Sequence, residues 1–297
     1  MISPELDQVH QLLYVRRQRP PASLQDAREA YDRLCGRFLP PPQMTFEPAN
    51  LQGVDALRGY EAGQSCTDRS VLYVHGGGFM VGSAEGFKGL AGTLAYGCAS
   101  QVFAINYRLA PEYPYPAARD DVLQAYCALL EKGIAPAKIA LAGDSAGAGL
   151  ILAALIEAHA RLMPMPSRAL LLSPWVDLTL SGSSITTHAT KDVFLVPEKL
   201  ASSAVAYLGQ AFDTQTANLI LSVDLKGLPP LMIQVGSDEI LFDDSLRLAA
   251  RAGTDAVSTC LTIWPNMFHV FQAFAPDLAE GRAALKEASF FLQQHLS

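Results

Sequence analysis

Short apolar runs alternate with helix-like segments along most of this chain of 297 residues, and this alternation restricts the fold more than any other feature. The strand candidates are Met44–Pro48, Ala56–Glu61, Val71–Val74, Gln101–Asn106, Ile139–Ala142, Ala169–Ser173, Leu231–Val235 and Thr259–Ile263. The helix-like segments are Gly86–Cys98, Ala117–Glu131, Ala146–Arg161, Ser245–Ala252 and Pro276–Leu296. Nearly all-apolar strands that alternate with helices indicate an α/β fold, in which a mostly parallel sheet has helices on both faces.

Two segments stand outside this alternation. The first forty residues are predicted to form two helices, because Ser3 and Ser23 stand where N-caps are expected. Between Leu178 and Leu225 there is no convincing strand, although the stretch around Pro197–Leu208 is helical in pattern. This insertion is either a surface excursion or part of a lid that closes together with the N-terminal helices.

The strongest local motif is Gly-Asp-Ser-Ala-Gly at residues 143–147, between the strand candidate Ile139–Ala142 and a helix. Glycines two residues to each side let the backbone turn sharply enough to expose Ser145 as a nucleophile. The helix that follows directs free amides and the positive end of its dipole to the place where negative charge develops during acyl transfer. A small-residue turn that only permits close packing does not explain the flanking strand and helix.

A second glycine-rich motif, His-Gly-Gly-Gly-Phe, occupies residues 75–79 directly after the strand candidate Val71–Val74. Three glycines at a strand end let backbone amides approach a ligand, and this arrangement forms oxyanion holes. A phosphate-binding loop is disfavoured, since no Lys-Ser or Lys-Thr follows and the GxGxxG spacing is absent.

A serine nucleophile needs a general base, and the base needs a carboxylate that orients it. Of the six histidines, only His269 follows a late strand candidate, Thr259–Ile263, through a short loop. Asp238 follows the strand candidate Leu231–Val235, and the order Ser145, Asp238, His269 is the one expected of α/β-hydrolases.

Two other carboxylates compete with Asp238 for the role of the acid. Glu239 is its neighbour, and Asp243 stands where a helix would begin, which favours an N-cap. Asp238 is the preferred candidate because it lies closer to the strand end.

Composition excludes several classes of protein. The formal net charge is −7 and no polybasic run is present, so neither nucleic acid nor an anionic membrane is an expected partner. No stretch approaches the roughly 20 apolar residues of a membrane span, and residues 1–21 lack the apolar core of a signal peptide. Five scattered cysteines without a CxxC pair argue against a disulfide framework or a zinc site, so no metal is expected. Cysteines that are not paired fit a reducing compartment, and the expected location is therefore the cytoplasm.

From about residue 25 to 295 the chain resembles the hormone-sensitive-lipase-like esterases, the bacterial family IV carboxylesterases of the α/β-hydrolase fold. The shared motifs, in family order, are HGGGF at 75–79, Gly82-Ser83, YRLAPE at 107–112, YPAA at 115–118, Asp120-Asp121, GDSAG at 143–147, SPWVDL at 173–178, GLPP at 227–230 and HVF at 269–271. GDSAG identifies the branch with aspartate before the nucleophile.

The resemblance implies Ser145 as nucleophile, His269 as base, Asp238 as orienting acid, and the amides of Gly77, Gly78 and Ala146 as the oxyanion hole. It also implies a single catalytic domain over 1–297, with a helical cap made from about 1–42 and 178–225. A homodimer through an edge strand, here Thr259–Ile263, is a further implication. The chain departs from the family pattern where Ala148-Gly149 follows the nucleophile motif, and where Asp238-Glu239-Ile240 replaces Asp-Pro-Leu.

The predicted reaction is cofactor-free hydrolysis of a small-molecule carboxylic ester with a short to medium acyl chain, through an acyl-enzyme. Candidate substrate-pocket residues are Met80, Phe194, Leu195, Tyr207 and Phe268, for each of which ordinary core packing is an equal alternative. Hydrolysis of a lactone, carbamate or amide on the same triad is the second interpretation. A non-catalytic receptor on the same scaffold is the third, and His269 argues against it because such receptors lack the catalytic histidine.

Overall fold

The computed structural model describes residues 3–63, 68–211, 217–219 and 223–294, and its centre is one eight-stranded sheet in the order β1-β2-β4-β3-β5-β6-β7-β8. The strands are β1 Met44–Leu51, β2 Val54–Glu61, β3 Ser70–Val74, β4 Gln101–Ile105, β5 Ile139–Asp144, β6 Arg168–Leu172, β7 Leu231–Gly236 and β8 Thr259–Trp264. β2 pairs antiparallel with β1 and β4, and every other neighbouring pair is parallel. The predicted α/β fold with a mostly parallel sheet is therefore confirmed.

The described α-helices are those predicted, which begin within three residues of the predicted positions, and one short helix that was not predicted. They are α1 Pro4–Arg17, α2 Leu24–Cys35, α3 Ala84–Gly97, α4 Ala117–Glu131, α5 Ser145–Ala160, α6 Ser184–Thr187, α7 Pro197–Leu208, α8 Phe242–Thr254 and α9 Ala279–Gln293. Leu296, the predicted end of the last helix, lies outside the described residues. Ser3 and Ser23 cap α1 and α2, accepting hydrogen bonds from the amides of Leu6 and Asp26. Within the described ranges, no helix combines the length and the apolar character needed to cross a bilayer.

The central strands bury both of their faces, which explains their nearly all-apolar sequences. In β3, Leu72 and Val74 join the core under α4, α5 and α8, whereas Val71 and Tyr73 join the core under α3 and α9. A strand whose successive side chains enter two different cores has few positions for a polar residue.

The N-terminal helices pack at the carboxyl-end edge of the sheet. α1 buries Leu6, Val9 and Leu13 in a third apolar cluster, together with Met267 and Phe268 from the loop after β8. α2 is tied down by Arg28, whose guanidinium donates to the carbonyl oxygens of Met80 and Ala110 and to the Glu112 carboxylate. The predicted insertion lies partly outside the described residues, at 212–216 and 220–222.

Candidate active site

Ser145 lies at the turn from β5 to α5, with φ of +52° in the left-handed region that few non-glycine residues adopt. Two glycines make this sharp turn fit. A Cβ at Gly143 would lie 2.6 Å from the carbonyl oxygen of Val74, and one at Gly147 would lie 2.1 Å from the same atom. Only residues without a side chain allow α5 to start this close to the end of β3, which puts the buried Ser145 at the sheet edge where ligands bind in such folds.

The glycine-rich loop after β3 lies beside this serine. Gly77 and Gly78 have φ of +119° and +60°, and both line the same cavity as Ser145 and His269. Asp144 holds the loop in place, since its Oδ1 accepts hydrogen bonds from the Tyr73 hydroxyl at 2.6 Å and the Gly76 amide at 3.0 Å. Ala146, the third predicted oxyanion residue, is the second residue of α5.

His75, at the start of this loop, is unsuited to act as a base. Its ring stacks on Tyr107 with centroids 4.3 Å apart and contacts Phe87 on the core side. Burial lowers the pKa of His75 to about 4, because the interior disfavours the imidazolium. His75 is therefore a neutral packing residue near pH 7.

His269 lies in the loop after β8 and reaches the serine. Its Nε2 lies 2.9 Å from the Ser145 Oγ, and both side chains are buried. Val270, the next residue, has φ of +51°, so the backbone turns immediately after the histidine. The two residues are 124 positions apart in the chain, and the parallel sheet brings them together because the loops after β5 and β8 leave the same edge.

The carboxylate that faces His269 belongs to Glu239. Its Oε1 lies 3.6 Å from the Nδ1 of His269, the side chain is fully buried, and neither atom has another hydrogen-bond partner among the described residues. Ser173 fixes the other carboxylate oxygen, donating to Oε2 at 2.8 Å while its Oγ accepts from the Val270 amide. One serine thus holds both the carboxylate and the residue next to the histidine.

Asp238, the acid preferred in the sequence analysis, is not brought to His269. Its amide donates to the Met267 carbonyl, its carboxylate accepts from the Ser237 hydroxyl at 2.9 Å, and the residue is half-exposed. Burial lowers the pKa of His10 on α1, and the negative charge of Asp238 offsets part of this lowering. Asp243 does not cap its own helix either, since its carboxylate accepts from the Ser183 hydroxyl and the Ser184 amide at α6.

The electrostatic surroundings favour a positive charge on His269. Burial alone would lower its pKa, but the hydrogen-bonding position and charge of Glu239, with further contributions from the charges of Asp192 and Asp144, raise the pKa of His269 above 6.5. An imidazolium that forms during catalysis is thereby stabilised inside the protein.

Asp192 and Ser173 are site residues that the sequence reasoning missed as functional. The buried Asp192 carboxylate accepts from the amides of Phe194, Leu195 and Ile240, which ties the insertion to the Glu239 loop. Ser173 stood within a shared motif, SPWVDL, which offered a signal. Asp192 had none, because a single aspartate in an insertion looks like any surface residue.

Ser145 and His269 border a cavity of about 500 Å³ whose walls include α1, α2, residues 77–81 and residues 193–203. Met80, Phe194 and Leu195 line this cavity, as predicted for the pocket, and the Phe194 ring lies 5.9 Å from that of His269. Tyr207 and Phe268 do not line it. Tyr207 stacks on Phe79 at 3.9 Å and borders a separate cavity of about 230 Å³, and Phe268 packs on His10 and Phe274 in the cluster under α1.

Comparisons with known proteins find relatives that cover most or nearly all of the chain. Residues 71–273 match the family described as alpha/beta hydrolase fold. An acetyl-hydrolase of Streptomyces hygroscopicus is 36% identical over 294 residues, covering 99% of this chain and 97% of the relative. An esterase of Acinetobacter venetianus is 37% identical over 268 residues, covering 89% and 87% of the two chains.

Solved structures give the same result. An esterase from the bacterial hormone-sensitive lipase family superposes with a TM-score of 0.96 at 38% identity, covering 100% of both chains. EstE5, studied in a crystal soaked with p-nitrophenyl butyrate, superposes with a TM-score of 0.92 at 35% identity, covering 99% of both chains.

Proposed function

This chain belongs to the α/β-hydrolase fold family and, within it, to the esterases of the bacterial hormone-sensitive-lipase family, and from that premise we propose a serine carboxylesterase that works through an acyl-enzyme. The contact of 2.9 Å between the Nε2 of His269 and the Oγ of Ser145, at the wall of a 500 Å³ cavity, carries the proposal. It also disfavours a non-catalytic receptor on this scaffold, since a receptor has no need of a base beside a strained serine.

In the proposed reaction His269 removes the proton from Ser145 as its Oγ attacks the ester carbonyl. The amides of Gly77, Gly78 and Ala146 donate hydrogen bonds to the developing oxyanion. Two observations support this role for the glycines: both have positive φ angles, and both line the cavity that holds Ser145. His269 then protonates the leaving alcohol, and water repeats the sequence on the acyl-enzyme. The proposed reaction uses only side chains and amides of this chain, the ester and water.

We propose Glu239, rather than Asp238, as the orienting acid. The distance of 3.6 Å to Nδ1 is longer than a hydrogen bond, but the two facing atoms have no other described partner, and such contacts shorten when substrate binds. A carboxylate there selects the tautomer with its proton on Nδ1, which leaves Nε2 free to accept the serine proton.

The N-terminal helices and the insertion are proposed to act as one cap. Both segments contribute walls to the catalytic cavity, and Arg17 of α1 donates to the carbonyl oxygen of Asp192 in the insertion. The homodimer through β8 stays a prediction that rests on the family resemblance, and β8 is the last strand of the sheet.

Short to medium acyl esters are the proposed substrates. A series of p-nitrophenyl esters tests this, with kcat/KM expected to be greatest between acetate and octanoate and at least tenfold lower for palmitate, because the walls of the cavity limit the chain it accepts. The butyrate ester is a suitable reference, since it was soaked into crystals of the related EstE5. Fastest turnover of palmitate would contradict the size limit. Greater activity on matched lactones or amides would favour the alternative scissile bonds.

The pH dependence of kcat/KM follows from the raised pKa of His269. The base acts only when neutral, so the rate on p-nitrophenyl butyrate is expected to rise with pH and to reach half its maximum above pH 6.5. Stopped-assay rates between pH 5 and 9 at constant ionic strength, with Ser145→Ala as the blank, measure this. A midpoint well below 6.5 would show that burial outweighs the neighbouring carboxylates.

A further inference from the structure

Among the charged side chains that border the cavity that holds Ser145, nearly all are basic. Five basic residues line it against a single acidic one, Asp26; the basic residues are Arg16, Arg17, Arg19, Arg33 and Lys199. The full sequence has the opposite balance, with a net charge of −7. A positive cavity in an acidic protein is a local property of this site and concentrates anions there.

Arg16 is the basic residue set deepest in this border. It is half-buried, with its guanidinium carbon 5.7 Å from the centroid of the Tyr31 ring and 5.5 Å from that of Phe194. Among the described residues no carboxylate forms an ion pair with it. Stacking on aromatic rings uses the faces of a guanidinium and leaves its N–H edge free to bind a carboxylate or phosphate.

The other basic residues around the cavity are little neutralised. Arg17 donates to a carbonyl oxygen, which carries no net charge, and Arg33 forms only a loose, exposed pair of 3.6 Å with Glu29. Arg19 and Lys199 are exposed and pair with no carboxylate in the described part of the chain. Their charges therefore add to that of Arg16 and are partly screened by salt.

The position of Arg16 relative to His269 indicates which part of the substrate Arg16 contacts. Phe194 contacts both side chains, with its ring 5.9 Å from that of His269. His269 protonates the departing alcohol, so a group that extends past His269 toward Phe194 belongs to the leaving group. Building on the proposed esterase function, we propose that the enzyme selects esters whose leaving alcohol carries an anionic group, and that Arg16 binds this anion.

Matched pairs of substrates test this proposal. The first pair is 4-butyryloxybenzoate, with a carboxylate on the leaving phenol, and its neutral methyl ester. The second pair is p-nitrophenyl hydrogen glutarate, with the carboxylate on the acyl group, and neutral p-nitrophenyl valerate. The ratio of kcat/KM within each pair is compared between the wild type and Arg16→Met, so that differences in intrinsic reactivity cancel.

Arg16→Met is expected to lower the charged-to-neutral ratio about tenfold for the first pair and by less than threefold for the second, because a charge-assisted contact is lost on the leaving-group side. Arg16→Lys is expected to recover part of the ratio, since it keeps the charge without the planar fork. Arg37→Met, which removes an exposed arginine that does not line the cavity, is the control and leaves both ratios unchanged. Raising salt to 0.5 M is expected to lower the wild-type preference.

Three outcomes would overturn the proposal. Equal ratios in the wild type and Arg16→Met would remove Arg16 from recognition, and an effect confined to the glutarate pair would move the anion to the acyl side. Salt-sensitive binding to phosphatidylglycerol vesicles without charge selection among soluble esters would assign the basic residues to a membrane surface. Failure of the proposed esterase function would appear differently, as wild-type turnover of the neutral esters no greater than that of Ser145→Ala.

Discussion

Replacing Ser145 by alanine is expected to lower kcat on p-nitrophenyl butyrate by about 10⁵–10⁶-fold, the range seen when a serine hydrolase loses its nucleophile. The reason is that the acyl-enzyme can no longer form, and only binding and the oxyanion amides remain. The rates are measured at high enzyme concentration by release of p-nitrophenol. A fluorophosphonate probe supplies an independent readout, since it should label the wild type and leave Ser145→Ala unlabelled.

The proposed mechanism also predicts the combined effect of Ser145→Ala and His269→Ala on the rate. Adding His269→Ala to Ser145→Ala is expected to cost almost nothing further, because the two residues act as one unit across their 2.9 Å contact. Ser258→Ala, which changes an exposed serine between α8 and β8, is the matched control and should keep wild-type activity and labelling. A Ser145→Ala enzyme within tenfold of the wild type would exclude the acyl-enzyme mechanism.

The sheet could be predicted from the sequence because strands that are buried on both faces consist almost entirely of apolar residues. β3 and β5 send alternate side chains into two cores, so their residues are nearly all apolar and their positions are evident. The serine turn was equally evident, since Gly143 and Gly147 lie so close to the Val74 carbonyl that a Cβ would clash. Steric requirements of this kind act over a few residues, and a single sequence displays them directly.

The choice between Asp238 and Glu239 needed information that no local pattern contains. Both follow β7 by two or three residues, and a nearer strand end favours Asp238. The decision depends on Ser173, at the end of β6, whose hydroxyl binds the Glu239 carboxylate and whose Oγ accepts from the residue after His269. Because three chain segments meet there, only the tertiary arrangement identifies the carboxylate that faces the imidazole.

Three of the five candidate pocket residues line the cavity, and these follow a motif or lie in the insertion. Met80 comes directly after the glycine-rich loop, and Phe194 and Leu195 are fixed over the cavity by Asp192. Tyr207 and Phe268 have the same apolar character but face other cores. An aromatic side chain in a loop or helix can be buried in the core or in the wall of a cavity, and its hydrophobicity alone does not distinguish the two.

Glu239→Gln is expected to lower kcat/KM on p-nitrophenyl butyrate by about 10³-fold, whereas Asp238→Asn should change it by less than threefold. The amide keeps the size of the side chain and an oxygen that accepts from Ser173, but it removes the negative charge that holds the His269 tautomer and stabilises its imidazolium. Asp238→Asn is the matched control, because it makes the same chemical change one residue away on a half-exposed side chain.

The pH profile separates this role from a structural one. Since the hydrogen-bonding position and charge of Glu239 raise the pKa of His269 against the lowering effect of burial, the midpoint of kcat/KM in Glu239→Gln should move to lower pH, while that of Asp238→Asn should stay with the wild type. Thermal unfolding of both variants identifies any loss of folded protein, which would lower the rate without moving the midpoint. A large loss of rate in Asp238→Asn, with Glu239→Gln near the wild type, would restore Asp238 as the acid and require the loop after β7 to rearrange when substrate binds.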